Sequence, residues 1–181
     1  MKILLHACCA PCSIHPVELL RSEGLDVTGY FFNPNIHPYT EFKKRLEALE
    51  KYAAEIEMET IIDPGYYLEE FIRGAVYRES NRCGMCYAMR LEQAARTAKE
   101  GGFDCFTTTL LVSPYQKHEL IREIGQEAAN KHQVPFHYVD FRPGYREATA
   151  RSRKMDMYRQ KYCGCIYSEM DRYCKKKNKG K

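Results

Sequence analysis

Lys2-Ile3-Leu4-Leu5-His6-Ala7-Cys8-Cys9-Ala10-Pro11-Cys12 holds the first apolar run of the chain and ends on three thiols within five residues. Ile3-Leu4-Leu5 reads as a buried strand. Short apolar runs return at Val27 to Phe32, Thr60 to Ile62, Phe106 to Leu111 and Phe136 to Phe141, five predicted strands in all. Between them Phe42, Leu46, Leu49 and Ala53 fall at helical spacing, as do Ala88, Leu91, Ala95 and Ala98, and then Leu120, Ile124 and Ala128. Ser113-Pro114-Tyr115-Gln116 has the spacing of a capping box with proline at the first helical position, and Gly101-Gly102 closes the preceding helix. Strands alternating with helices need crossover connections, which predicts an α/β fold with a mostly parallel five-stranded sheet covered on both faces. Such sheets bind ligands beyond the carboxyl ends of their strands. Cys8 to Cys12 follow the first strand directly, so they stand at that edge, with Pro11 expected to hold the turn open.

The chain has 181 residues, 44% hydrophobic and 29% charged, which fits a soluble globular protein and excludes a disordered, collagen-like or membrane-spanning one. One catalytic domain is expected over residues 1–174. It includes a charged, tyrosine-rich helical extension from about Arg142, and a flexible basic tail follows at Lys175 to Lys181. Lysine and arginine number 28 against 24 aspartates and glutamates, but five of the lysines lie in that tail, leaving 23 against 24. Affinity for nucleic acid therefore needs a local basic face. No run approaches the roughly 18 apolar residues of a membrane helix, and the N-terminus is too short in apolar residues for a signal peptide. A cytoplasmic location without a membrane partner is expected.

Nine cysteines, an odd number, cannot all pair within the chain. In a reducing compartment, grouped cysteines read as metal ligands or redox groups. Cys8, Cys9 and Cys12 form the first group. Cys83-Gly84-Met85-Cys86 begins a helix, where the positive end of the dipole favours thiolates; a redox pair is the competing use of that spacing. Cys163-Gly164-Cys165 is the third group, with a glycine that lets the backbone wrap closely round a bound atom. These seven candidate ligands exceed the four that one tetrahedral zinc or one cubane cluster takes. A cluster with a second metal, or a cluster beside a redox-active thiol pair, accounts for the surplus. Cys105 is expected to be a core thiol and Cys174 an exposed bystander.

Several stretches together resemble the epoxyqueuosine reductases of the cobalamin-independent QueH family. They are His6-Ala7-Cys8-Cys9-Ala10-Pro11-Cys12-Ser13, Phe31-Phe32-Asn33-Pro34-Asn35-Ile36-His37-Pro38, Arg82-Cys83-Gly84-Met85-Cys86-Tyr87, Thr107 to Pro114, and Tyr158-Arg159-Gln160-Lys161-Tyr162-Cys163-Gly164-Cys165. The resemblance implies an adenine-nucleotide-hydrolase-like fold and the last step of queuosine formation in tRNA, the reduction of epoxyqueuosine. It also implies a [4Fe-4S] cluster with an additional iron, no cobalamin and an external electron donor. The iron ligands then fall among Cys8, Cys9, Cys12, Cys83, Cys86, Cys163 and Cys165. Relatives of this fold that activate tRNA with ATP carry a glycine-rich SGGxDS phosphate loop after the first strand. Cys8 to Ser13 stands there instead, which argues against ATP chemistry. Two alternatives remain at this point, a tRNA sulfur-transferase working through a cysteine persulfide and a zinc-stabilised RNA-binding module.

Tyr115 and His118, at the predicted ligand edge, are the candidate proton donors. His6 and His37 are expected to be hydrogen-bonded structural histidines. Tyr66 and Tyr67 are candidates to line a nucleoside pocket. The expected tRNA face comprises Arg142, Arg146, Arg151, Arg153, Lys154, Arg159 and Lys161, interleaved with Tyr145, Tyr158 and Tyr162, since cations position phosphates and aromatics stack on unpaired bases.

Overall fold

In the computed structural model, which describes residues 1–174, the first apolar run forms β1 (Lys2–His6), with Ile3, Leu4 and Leu5 all fully buried. The chain continues through α1 (Ala10–Ser22), β2 (Asp26–Phe31), α2 (Tyr39–Glu55), β3 (Thr60–Ile62), α3 (Leu68–Ala75) and α4 (Arg82–Glu100). Then follow β4 (Cys105–Thr108), α5 (His118–His132), α6 (Tyr145–Lys154) and α7 (Ile166–Tyr173). The four strands run parallel in the order β3-β2-β1-β4. Central β1 is apolar at every inner position because strands buried on both faces have no polar side to show. On one side α1 packs against α2 and α6, while α4 packs against α3 and α5. The small buried Ala94, Ala95 and Ala98 let α4 approach the sheet closely. The residues 175–181 expected to form a basic tail lie outside those described. No helix of the described residues is long and apolar enough to cross a membrane.

The strand order places a topological switch between β1 and β4, where loops diverge to opposite faces and leave a crevice. The Cys8 amide crosses that crevice to the Thr109 hydroxyl at 3.0 Å.

Three local expectations change. The sheet has four strands, not five: Phe136 makes a single parallel bridge to Phe106. The Phe106 amide and carbonyl engage Pro135 O and His137 N at 3.0 and 2.8 Å, and no ladder continues from Phe136 to Phe141. The run at Phe106 to Leu111 also divides, because the Thr108 hydroxyl accepts the Leu110 amide at 3.1 Å and starts a 3₁₀ turn over Thr109–Val112. Ser113 does not cap α5; it closes a tight turn onto Gln116 and Tyr115, and the helix starts at His118. Pro11 lies in the first turn of α1, where its missing N–H costs nothing, and so does not hold a turn open.

The C-terminal extension is helical in two pieces, with an irregular segment from 155 to 165 between them. That segment is tied down by Arg45, which is 1% exposed. Arg45 Nε donates to Glu41 at 2.7 Å, and its two terminal nitrogens donate to the carbonyls of Cys163 and Tyr162 at 2.8 and 3.0 Å. Tyr158 donates to the same Glu41 carboxylate, and Tyr162 to the His37 carbonyl. Gly164 lies against the loop after β2, with its carbonyl accepting the His37 amide at 2.9 Å. A Cβ there would meet Asn35 Nδ2 at 2.7 Å, so close approach requires glycine. Removing one partner of a buried ion pair leaves the other charge uncompensated. The Arg45→Ala variant is therefore expected to lose about 3–5 kcal/mol of unfolding free energy, measured by urea denaturation; a loss below about 1 kcal/mol contradicts this account.

Candidate metal centre

Cys8 leaves the end of β1, Cys9 is the N-cap of α1, and Cys12 lies in the first turn of that helix. The sharp strand-to-helix turn brings their sulfurs within 4.8 Å of one another, with Cys8 and Cys9 Sγ 3.7 Å apart. No other three metal-binding groups among the described residues come so close together. The donors suit a thiophilic metal. Hydrogen bonds from Cys12 and Cys9 draw the Cys8 thiol well below its ordinary value, aided by the Arg90 charge and the Thr109 hydroxyl and opposed by burial. Burial raises Cys9, and Cys12 is raised by sharing its proton with Cys8 and Cys9. Of the three thiols Cys8 is thus the one that ionises most readily.

Two amides cover the sulfurs. Gln160 Nε2 donates to Cys9 Sγ at 3.0 Å and to Cys12 Sγ at 3.6 Å, while Gln116 Nε2 donates to Cys163 Sγ at 3.4 Å. Cys83 and Cys86 occupy the first turns of α4, and Cys86 packs with Cys165 in one apolar cluster around Phe71 and Ala75. Cys165 is the N-cap of α7 and accepts the Ser168 amide at 3.4 Å. Burial pushes the Cys86 thiol up to about 12, with Cys163 and Cys165 adding to the rise. Desolvation also raises Cys163, on which Cys165 and Cys8 both act electrostatically. The fold therefore gathers the three cysteine groups at one edge: Cys163 shares a cleft wall with Cys8 and Cys12, and Cys165 packs with Cys86. Cys105 is buried in β4 and Cys174 is exposed beyond α7.

Above these sulfurs opens a cleft of about 710 Å³, the size of a small-ligand site. Cys8, Cys12 and Cys163 form part of its wall, along with Arg90, Thr109, Gln116 and Gln160. Tyr115, Tyr145, Arg159, Lys161 and Arg172 also line it. Tyr115 is 82% exposed and meets Tyr145 edge to face at 6.1 Å. His118 does not line the cleft. It is buried, and that burial together with Arg142 lowers its pKa.

The basic stretch divides in the same way. Arg159 and Lys161 line the cleft, whereas Arg142, Arg146, Arg151, Arg153 and Lys154 do not. Arg142 is forked onto Asp140, and Arg151 is paired with Glu18. Arg146, Arg153 and Lys154 lie on the exposed side of α6, opposite the Ala148 and Ser152 positions that pack inward. Tyr66 packs with Tyr39, Phe42 and His37, and Tyr67 donates to Asp63, so neither lines the cleft. His6 is buried between the Thr108 hydroxyl at 2.9 Å and the Phe32 carbonyl at 3.1 Å; burial and then Arg90 push its pKa down to about 3. His37 binds the Pro34 carbonyl at 3.1 Å.

Gln116, Gln160, Thr109 and Arg90 are the site residues that sequence reasoning missed. Thr109 and Gln160 lie within the stretches that carry the resemblance, and Arg90 left a signal of its own. It interrupts the core-facing series Cys86, Tyr87, Leu91 and Ala94 at an inward position, where a charge needs a reason.

Residues 3–171 match the family model described as "Epoxyqueuosine reductase QueH". The epoxyqueuosine reductase QueH of Dehalococcoides mccartyi is 38% identical over 174 residues, covering 96% of each chain. That of Thermotoga maritima is 36% identical, covering 94% of this chain and 91% of its own. That of Acinetobacter baylyi is 37% identical, covering 94% and 81%. With most of both chains aligned at this identity, this protein belongs to the epoxyqueuosine reductase QueH family.

Proposed function

We propose that this chain is an oxidoreductase that reduces epoxyqueuosine to queuosine in tRNA, the final step in making that nucleoside, in the cytoplasm and without cobalamin. The observation that carries the reading is the cleft of about 710 Å³ whose wall includes Cys8, Cys12 and Cys163. Thiols in the wall of a cleft of that size support a thiol-held centre beside a bound nucleoside. Turning an epoxide into an alkene with loss of its oxygen as water takes two electrons and two protons, and the electrons come from an external donor. Cys8, Cys9, Cys12, Cys83, Cys86, Cys163 and Cys165 are the residues to hold a [4Fe-4S] cluster and an additional iron. Such a centre supplies electrons singly and a Lewis acid for the epoxide oxygen.

The chain's other residues bind, orient and protonate. Gln116 and Gln160 hold amide donors over the sulfurs, where they fix the approach of a polar ligand. Arg159, Lys161 and Arg172 on the rim meet phosphates, and the exposed Tyr115 offers its ring to an unpaired base. Of the two expected proton donors, Tyr115 alone lines the cleft, and its hydroxyl is proposed to deliver a proton to the leaving oxygen.

Anaerobically reconstituted protein, given a reductant and tRNA carrying epoxyqueuosine, is expected to yield queuosine on nucleoside mass spectrometry. Failure of coloured, iron-loaded protein to do so refutes the assignment. Cys83→Ser and Cys86→Ser are each expected to deplete iron severely, because a hydroxyl is a poor substitute for a thiolate, while Cys174→Ser keeps it. The Cys163→Ser/Cys165→Ser double variant is expected to keep much of the visible absorption and lose turnover; loss of both makes these two cysteines ligands of one shared cluster.

For tRNA, replacing Arg159 and Lys161 by alanine is expected to lower the slope of log affinity against log salt by about one unit for each phosphate left without its cation. Arg142→Ala and Arg151→Ala, whose charges are already matched by Asp140 and Glu18, are expected to change the slope less. Equal slopes in both pairs remove the cleft rim from the binding face.

A further inference from the structure

Arg90 stands out among the charged residues because it is 1% exposed and has no carboxylate partner among the described residues. The other buried guanidinium, Arg45, is neutralised by Glu41, and the partly buried Arg82 by Asp171. Arg90 Nη2 donates to Asn33 Oδ1 at 2.9 Å, Nη1 approaches Cys86 Sγ at 3.9 Å, and Nε reaches His6 Nε2 at 3.4 Å. None of these three partners is a carboxylate. A guanidinium does not give up its proton in a protein interior, so its charge must be matched there. The sulfurs of Cys86, Cys8 and Cys163 are the anion-forming groups that face it, and Arg90 shares the cleft wall with the last two.

We infer that Arg90 is the buried counter-charge of the cysteine-held metal centre and sets how readily that centre takes up an electron. This rests on the reading that the cysteines hold an iron–sulfur centre. Arg90 acts through the sulfurs and is a positioning residue. Each electron added makes the centre more negative, and a fixed positive charge beside it stabilises the reduced state, so Arg90 raises the midpoint potential. Because the guanidinium is buried, salt screens this effect little. Asn33 completes the arrangement: its Oδ1 faces the guanidinium while its Nδ2 donates to the Ala7 carbonyl at 3.0 Å. An amide orients Arg90 without neutralising it, as a carboxylate in the same place would.

The test compares reconstituted wild type with Arg90→Lys, Arg90→Gln and Asn33→Asp by iron and sulfide analysis, circular dichroism and a spectroscopic redox titration. Arg90→Gln removes the charge; Asn33→Asp leaves the arginine in place and cancels its charge, at the cost of the bond to Ala7. Both are expected to shift the one-electron equilibrium toward the oxidised form by tenfold or more, which corresponds to a midpoint lower by about 59 mV or more. Arg90→Lys is expected to stay within about threefold of wild type, since the charge remains.

Iron-loaded Arg90→Gln and Asn33→Asp proteins with wild-type potentials overturn the inference. If Arg90→Gln does not fold, Asn33→Asp decides by the same criterion. Folded Arg90→Gln and Asn33→Asp proteins that hold no iron, beside an iron-loaded Arg90→Lys, support the inference, because assembly then follows the charge. Loss of iron from Arg90→Lys as well overturns it, because shape and not charge is then what matters. A wild-type protein without an iron–sulfur chromophore refutes the underlying reading of the cysteines and leaves the distinction plain.

Discussion

Two guanidinium groups lie inside this small protein, and neither can be neutralised by losing its proton. Desolvating such a cation costs several kcal/mol even after the surroundings relax, so the chain must be arranged to match it. Arg45 is matched by Glu41 one turn away and spends its remaining donors on the carbonyls of Tyr162 and Cys163. The third cysteine group is thereby pinned to α2, more than a hundred residues upstream. Arg90 is oriented by Asn33 in the loop after β2 and faces a thiol from each of the three groups. Between them, two buried charges join three distant parts of the chain at one edge of the sheet.

That edge is set by elementary topology. The central strand is β1, and the chain moves outward through β2 and β3 before returning to its other side as β4. The loops after β1 and β4 consequently part, and Cys8 and Thr109 meet across the gap. The segment from 155 to 165 then closes over the opening. Its hold is polar and local, through Arg45, Glu41, His37 and the glycine that allows contact with Asn35. Such a cover can present Gln160 and Cys163 to the site without contributing to the sheet.

Much of this was legible in the sequence. A short continuous apolar run located β1, period-3.6 patterns located the helices that cover it, and the spacing of the cysteines marked the groups that the fold brings to one edge. Errors arose where a local pattern competed with a tertiary one. Phe136 to Phe141 is apolar enough for a strand, yet only Phe136 pairs with β4. Ser113 has a capping side chain and a proline beside it, but the hydroxyl serves a turn and α5 begins five residues later. A run of cations looked like one binding face, although a helix distributes its side chains around its axis. Arg142 and Arg151 meet acids, Arg146 and Arg153 face away, and only Arg159 and Lys161 reach the cleft. Charge counts carry no direction, and direction decided their placement.

The electrostatics show how a thiol-rich turn at this position differs from a glycine-rich phosphate loop. A phosphate loop works by aiming a helix N-terminus and its unpaired amides at an anion. Here α1 and α7 begin at Cys9 and Cys165 as their N-caps, and α4 carries Cys83 and Cys86 in its first turns. Each helix end is worth roughly 0.3–1 kcal/mol to a nearby negative charge. Three of them and the Arg90 guanidinium act on the same cysteine groups. Glycine was needed in the phosphate loop so that the backbone could approach bulky oxygens. Thiolates carry their negative charge on the chain itself, at the end of one short bond from Cβ, so the close approach is made by the side chain. The positive ends of these helices thus meet thiol side chains at one edge of the sheet, and Gly164 lets the covering segment press against Asn35 there.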